Sequence, residues 1–195
     1  MRRILLSLSL FFSLHALGFD LAALSAQLQQ QPVVQGQFQQ TRYLHNLPQA
    51  LHSSGVFTLV QKQGLYWELQ SPFALRLRLD ARGIAQQDAQ RQWQISPQSG
   101  QSRQIALFMA LLGGDTEELS RDFELQLSGT AQDWQLMLKP KSAVLQQIFQ
   151  HIQLQGDQFL RQVEILETQG DRSLIRFSDI QNAELNPAAA AALAC

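Results

Sequence analysis

The sequence predicts a mainly β fold with a smaller α part, a curled antiparallel sheet whose concave apolar face is plugged by helices. Three observations predict it. Residues 55–83 (GVFTLVQKQGLYWELQSPFALRLRLDARG) read as three short strands joined by two turns. Leu65, Trp67 and Leu69 alternate with Tyr66, Glu68 and Gln70, and Leu75, Leu77 and Leu79 alternate with Arg76, Arg78 and Asp80. Strand side chains point to opposite faces with period two, so this meander has one apolar face that must be buried. The second observation is a return to strand alternation between residues 123 and 180. The third is a pair of helical segments, one leading and one in mid-chain. Roughly ten strands twisting by about 20° per pair make a curled sheet, with the helices in its hollow.

The N-terminus lies outside that fold. Arg2 and Arg3 precede an apolar run at residues 4–14, and Ala16-Leu17-Gly18 supplies the small residues of a cleavage site. This pattern predicts a secretory signal peptide over residues 1–18, too short for a membrane span, and one domain over residues 19–195. Residues 19–31 place Leu21, Leu24 and Leu28 at helical spacing, and Pro32 closes the helix. Residues 33–43 alternate around Phe38, with Gly36 placed for a bulge. After the meander come a polar hairpin at 84–95 and a loop at 97–101.

Residues 103–112 (RQIALFMALL) break the strand pattern. Their apolar residues cover nearly all sides of a short helix, so it must be buried on more than one side, and Gly113-Gly114 ends it. Asp115 with Glu118 three residues on starts a second short helix as an acidic capping box. Strands follow at 123–127, 134–138, 149–154, 159–167 and 173–180, with turns at 128–133, 155–157 and 169–171. The Ala-rich tail at 186–195 is a short helix or disordered.

Without the first 18 of 195 residues, 177 remain, which suits one sizeable core. Losing Arg2 and Arg3 leaves 13 basic against 16 acidic side chains, a net charge of about −3 that argues against nucleic acid or an anionic membrane surface as the main partner. Cys195 is the only cysteine, so no intrachain disulfide forms, and export without disulfides points to a bacterial periplasm. The 32 glutamines fall on polar positions of amphipathic segments and read as a solvated face. There is no G-x-S-x-G, no H-E-x-x-H and no Cys/His cluster, and His45, His52 and His151 are scattered. Carboxylate pairs such as Asp80 with Asp88, or Glu117 with Glu118, have no pocket pattern around them. The chain is therefore expected to be no enzyme, with no metal and no cofactor.

Several stretches together resemble the periplasmic outer-membrane lipoprotein carriers, the LolA-type proteins, in a form that fits a divergent paralogue. These are Phe38-Gln39-Gln40 in the first strand, Gly64 through Trp67 to Pro72 in a hairpin, and Leu138-Lys139-Pro140-Lys141. Gly170 followed by Asp179, Asn182 and Leu185 closes the series. The resemblance implies an unclosed half-barrel whose concave face, lidded by helices, holds acyl chains. It further implies an inner-membrane ABC transporter as donor and an outer-membrane acceptor. The family's turn before the tryptophan usually carries a basic residue and a proline. Here it is Gln61-Lys62-Gln63-Gly64, leaving Lys62 as candidate lid latch, and a lysine lacks the bidentate fork of arginine. The tail NPAAAAALAC also departs from the family's end, which opens the cargo to a glycolipid or another acylated molecule.

Each acyl CH₂ exposed to water costs about 0.8 kcal/mol, so a C16 chain costs on the order of 12 kcal/mol and needs a soluble carrier with matching apolar surface. The expected acyl-chain site has Leu65, Trp67, Leu75, Leu77 and Leu79 as floor and Phe108, Leu111 and Leu112 as lid. The chain is expected to act as a monomer. The alternative from another class is a periplasmic lipid-sensing or regulatory module on the same half-barrel. An apolar strand face that is simply core is the structural alternative to a binding floor. For the first strand of the meander, at residues 56–60, the sequence leaves open whether Val56, Thr58 and Val60 or Phe57 and Leu59 point inward.

Overall fold

The structure is a computed structural model, and it describes residues 18–95, 102–182 and 184–194, with the backbone alone for residues 102–106. Most of the expected signal segment and the expected loop at 97–101 lie outside the described residues. Eleven strands form one antiparallel sheet in the order β6-β5-β4-β3-β2-β1-β11-β10-β9-β8-β7. In chain order they are β1 (Val33–Tyr43), β2 (Leu51–Val60), β3 (Gly64–Ser71), β4 (Leu75–Asp80), β5 (Gly83–Gln87) and β6 (Trp93–Ile95). The second half comprises β7 (Phe123–Thr130), β8 (Asp133–Pro140), β9 (Phe149–Gly156), β10 (Leu160–Glu167) and β11 (Arg172–Asn182). Consecutive strands are neighbours throughout, except that β1 pairs with β11 and joins the two meanders.

The sheet does not close, and β6 and β7 are its free edges. The chain passes from one edge to the other through α2 (Ser102–Gly113) and α3 (Thr116–Asp122). The helical segment that the sequence marks as a plug is therefore the covalent strap between the two edges. Connectivity alone places it across the opening.

α1 (Leu21–Gln29) is shorter than the 19–31 expected, because Asp20 caps it, accepting from the Ala23 N–H at 2.8 Å. Leu24 and Leu28 turn inward. Gln27 Nε2 donates to Asp157 O at 2.6 Å and Ala131 O at 3.1 Å, so α1 is tied to the β9–β10 and β7–β8 turns. Trp134 Nε1 donates to Asp157 O as well, at 2.6 Å. One end of the half-barrel is thereby closed. The other end carries the β1–β2, β3–β4, β5–β6, β8–β9 and β10–β11 connections, as the antiparallel register requires.

Gly114 (φ +66°) ends α2 in the left-handed conformation, where a Cβ would lie 2.5 Å from Leu28 Cβ. The capping box at α3 is half formed. Asp115 accepts from the Glu118 N–H at 3.0 Å, but its own N–H is already donated to Ala110 O. Glu118 turns instead to Arg121, at 2.6 Å. At Gly36 the β1–β11 register does slip, yet the extra residue belongs to β11, where Asp179 has φ +50°. Gly36 is needed there because a Cβ would meet Ser178 O at 2.9 Å.

Two elements are additional to those expected: the helical turn α4 (Ala143–Gln146), and a docked position for the tail as α5 (Pro187–Ala194). α5 packs outside the sheet. Asn186 starts it, accepting from Ala189 N–H at 2.8 Å and donating to Thr58 Oγ1 at 2.9 Å. Ala189 and Ala192 are buried against Tyr66. Among the described residues the helices are thus five, and one of them covers the convex face.

Candidate functional site

The inward face of the first meander is a ladder of three rungs. Leu65 faces Leu79, Trp67 faces Leu77, and Leu69 faces Leu75 in the β3–β4 register. β2 adds Leu59 beside Leu65 and Phe57 beside Trp67, so Phe57 and Leu59 are its inward residues. Thr58 is turned outward to Asn186, under α5. Burial falls along the ladder away from α1. Leu65 (0% exposed) and Leu79 are buried, Trp67 is buried opposite a half-buried Leu77, and Leu69 and Leu75 are half-buried. The concave face is sealed at the α1 end and loosens toward the other.

Trp67 is the hub. Its ring stacks on Phe38 at 3.8 Å between centroids and meets Phe108 of α2 edge-on at 5.9 Å and Phe177 of β11 at 6.4 Å. Phe177 meets Phe57 edge-on at 5.2 Å. Close strand approach here requires Gly55, whose Cβ would stand 1.9 Å from Glu68 O. Leu111 and Leu112 of α2 are buried in the same cluster. Of the eight expected site residues, seven converge in one apolar cluster, with Phe108 and Leu77 partly buried against it. Leu75 stands apart at the looser end. Phe38, Phe57 and Phe177 belong to the cluster and were missed. Their signal was present in strand alternation, but an aromatic on a two-sided apolar strand does not declare its face.

Among the described residues, the space beneath the C-terminal end of α2 is small. The cavity lined by Leu28, Val34, Phe57, Leu59, Leu112 and Phe177 measures about 30 Å³. Pockets that hold drug-sized ligands measure about 300–1,000 Å³, so this is a collapsed, apolar interior. A larger open cleft of about 440 Å³ lies between the β2–β3 turn and the α2–α3 joint, lined by Lys62, Asp115, Glu118 and Met109 among others. Lys62 stands in the left-handed conformation (φ +63°) and is exposed. The neighbouring Gln61 reaches inward, donating to Leu28 O at 3.2 Å. The α2–α3 joint is held to α1 by Ser25 Oγ donating to Gly114 O at 2.9 Å, and by Thr116 Oγ1 donating to Leu21 O at 3.4 Å. Polar bonds therefore fix the end of α2 nearest α1, while the described contacts of its body with the sheet are apolar.

On the convex side the charges of β4 are buried by α5. Arg78 Nε lies 3.2 Å from Asp80, Arg78 Nη1 donates to Ala192 O at 3.3 Å, and its guanidinium covers the Trp93 ring at 5.6 Å. Burial opposes ionisation of Asp80, but hydrogen bonds from Arg82 and the charges of Arg78 and Arg82 prevail, holding its carboxyl below the usual range. Burial and a 3.0 Å hydrogen bond to Glu68 push the Tyr66 hydroxyl up to about 12. Asp88 accepts from the N–H groups of Gln90 and Gln92 and organises the β5–β6 turn. His45 and His52 stand at the looser end, where His45 N–H donates to Asp171. Among the described residues, no three His, Cys, Asp or Glu side chains are grouped to hold a metal ion.

Residues 29–189 match the family described as outer membrane lipoprotein carrier protein LolA. The chain belongs to the LolA family. The matched span runs from the end of α1 into α5 and contains every expected site residue. No curated protein matches the chain. Solved structures similar to it include a LolA superfamily protein of Nitrosomonas europaea, at 10% identity and TM-score 0.49, covering 85% of this chain and 93% of that one. Another is the MucA/MucB complex of Pseudomonas aeruginosa, at 13% identity and TM-score 0.48, with 85% of this chain and 56% of that one covered. A third is a putative outer membrane lipoprotein-sorting protein domain of Vibrio parahaemolyticus, at 10% identity and TM-score 0.40, covering 88% and 94%. Within the LolA family fold, the turn at Gln61–Gly64 places Gln61 against the end of α2, its Oε1 3.2 Å from where a Cβ of Gly113 would stand.

Proposed function

We propose that this protein is a periplasmic carrier that holds the acyl chains of lipoproteins, or of a related lipid, between the concave sheet face and α2. It carries them from the inner to the outer membrane and makes no covalent change in them. The supporting observation is the Trp67–Phe108 contact, which joins a graded apolar floor to a helix strapped across the two free edges. In this proposal residues 1–18 are removed on export and residues 19–195 form the working domain, a monomer. An ABC transporter loads it and an outer-membrane acceptor unloads it. With about 30 Å³ inside, acyl chains enter only as α2 moves off the floor, so the collapsed state competes with cargo.

Native mass spectrometry of protein taken from periplasm tests the proposal. Copurified lipid or lipoprotein is expected. A protein that stays empty and takes up no fluorescent fatty acid would falsify it.

Lys62 completes the proposal as a latch. It lines the cleft at the α2–α3 joint together with Asp115 and Glu118, whose charges attract its ammonium across the cleft, and an exposed attraction of this kind contributes at most about 1 kcal/mol to the collapsed state. Removing the amine weakens the state that competes with cargo. Lys62→Leu is therefore expected to slow fatty-acid release by about two- to fivefold in stopped-flow displacement. An unchanged release rate assigns Lys62 to the solvated turn.

A further inference from the structure

The two free edges of the sheet are unequal. β6 has three residues, and a short edge strand is one way a protein keeps an edge from pairing. β7 has eight, Phe123–Thr130, and pairs with β8 residue for residue without a register shift. Lysine, proline and bulges, three devices that blunt an edge, are absent from it, and only Gly129 near its far end (φ +94°) leaves the regular conformation. Its single charge, Glu124, lies on the convex side and accepts from Gln126 Nε2 at 3.1 Å.

The pairing with β8 fixes which backbone groups this edge offers. Lys141 N–H donates to Asp122 O at 2.9 Å, so Asp122 and, at every second residue after it, Glu124, Gln126 and Ser128 turn their N–H and C=O groups toward β8. Phe123, Leu125 and Leu127 turn theirs outward. Phe123 donates its N–H to Leu119 O of α3, whereas among the described residues nothing bonds to the outward groups of Leu125 and Leu127. The side chains of these two leucines pack against the core cluster beside the buried Phe123. The open edge is therefore also a border of the hollow in which acyl chains are proposed to lie.

A row of alternating N–H and C=O groups at strand spacing is matched by an extended polypeptide backbone, and a glycan or a lipid headgroup has no such repeat. A free peptide on one edge binds weakly. One joined to an acyl chain already held in the hollow is different, because a short tether gives it an effective concentration in the millimolar range. A lipoprotein carries that peptide on its acylated residue. We infer that β7 takes up, by strand addition at Leu125 and Leu127, the stretch of lipoprotein polypeptide next to the acyl group. This inference rests on the carrier proposal and narrows its cargo from acylated molecules in general to acylated polypeptides.

Amide hydrogen exchange resolved by NMR reads these two residues directly, in protein purified from periplasm. The probes are a dipalmitoylated peptide of about ten residues, the same peptide N-methylated along its backbone, and palmitate. With the first, exchange at Leu125 and Leu127 is expected to slow at least about tenfold. With the other two it should stay at the rate of the free protein, because neither donates backbone hydrogen bonds. The N-methylated peptide should also bind at least about fivefold more weakly than its parent. Unchanged exchange at both leucines while the acylated peptide is bound overturns the inference and leaves the carrier proposal standing. Equal protection by palmitate overturns it as well, since closure of the protein over an acyl chain then covers the edge without a strand. Protection in the free protein that grows with protein concentration gives the edge to a second copy of this chain and overturns it too. If none of the acyl probes binds, the carrier proposal falls and the tethered strand falls with it.

Discussion

Leu77→Glu is expected to abolish most acyl binding while the protein stays folded, whereas Leu65→Glu is expected to unfold it. Both side chains lie on the same inward face and differ by position on the ladder. Leu65 is fully buried near α1, beside Leu59 and Leu79, so a glutamate there strands a carboxylate in the core and loses the leucine packing. That combination costs about 4 kcal/mol or more, a large part of a domain's stability. Leu77 is half-buried beside Trp67, where its carboxylate reaches water in the collapsed state and costs about 1–2 kcal/mol. An acyl chain over Trp67 would have to desolvate that carboxylate, so affinity for a fluorescent fatty acid should fall at least about tenfold. Urea denaturation and probe titration on the two variants separate a binding floor from plain core. If both variants unfold alike, or if Leu77→Glu keeps full affinity, the floor at Leu77 is core.

The second large effect lies on the opposite face. Asp80→Ala leaves the Arg78 guanidinium buried under α5 without its carboxylate, and breaking a buried pair by removing one partner costs about 3–5 kcal/mol. Replacing both, as Arg78→Met/Asp80→Leu, should recover much of that loss, because the desolvation penalty leaves with the charges. Calorimetric Tm values of the three proteins decide this, and a Tm for Asp80→Ala equal to the parent's would overturn it. The pH dependence has a definite sign. The Asp80 carboxyl is held below its ordinary value of about 3.9, so its contribution is complete above that pH and is lost as pH falls through the depressed value. Acid destabilisation should therefore be shallower in Asp80→Ala than in the parent protein. Asp157 is depressed in the same direction, its burial outweighed by hydrogen bonds from Phe159 N–H and Arg161, and so is Asp88, held by the Gln92 N–H and the Gln94 side chain; both contribute to the part that remains.

Much of the molecule was legible in the chain. β1 occupies 33–43 as its alternation requires, and the leucine ladder of β3 and β4 faces inward as one set, because a period-two pattern with charges on its other side admits one burial direction. The helix at 103–112 was readable from apolar residues on all sides and a Gly-Gly stop. β2 was less readable. Val56 and Val60 are as apolar as Phe57 and Leu59, so alternation could not choose a face. The apolar cluster of the candidate site was legible in its leucines and in Trp67, but not in Phe38, Phe57 and Phe177, which meet Trp67 from strands far apart in sequence. Lys62 was singled out from its turn, while Gln61, the residue that bonds to α1, carries no mark that separates it from 31 other glutamines.

By itself, then, the sequence determined a curled β-rich chain with a greasy inner face, a leading helix and a mid-chain apolar helix, because these follow from local periodicity and from turn residues. Tertiary structure alone decided three things. It made α2 a strap between edges β6 and β7, since only the strand order reveals which elements are free edges. It put α5 on the convex face, since a helix of alanines has no apolar stripe to announce a partner. And it buried Arg78 with Asp80, since an alternation of leucines and charges states which residues share a face but not what will cover that face.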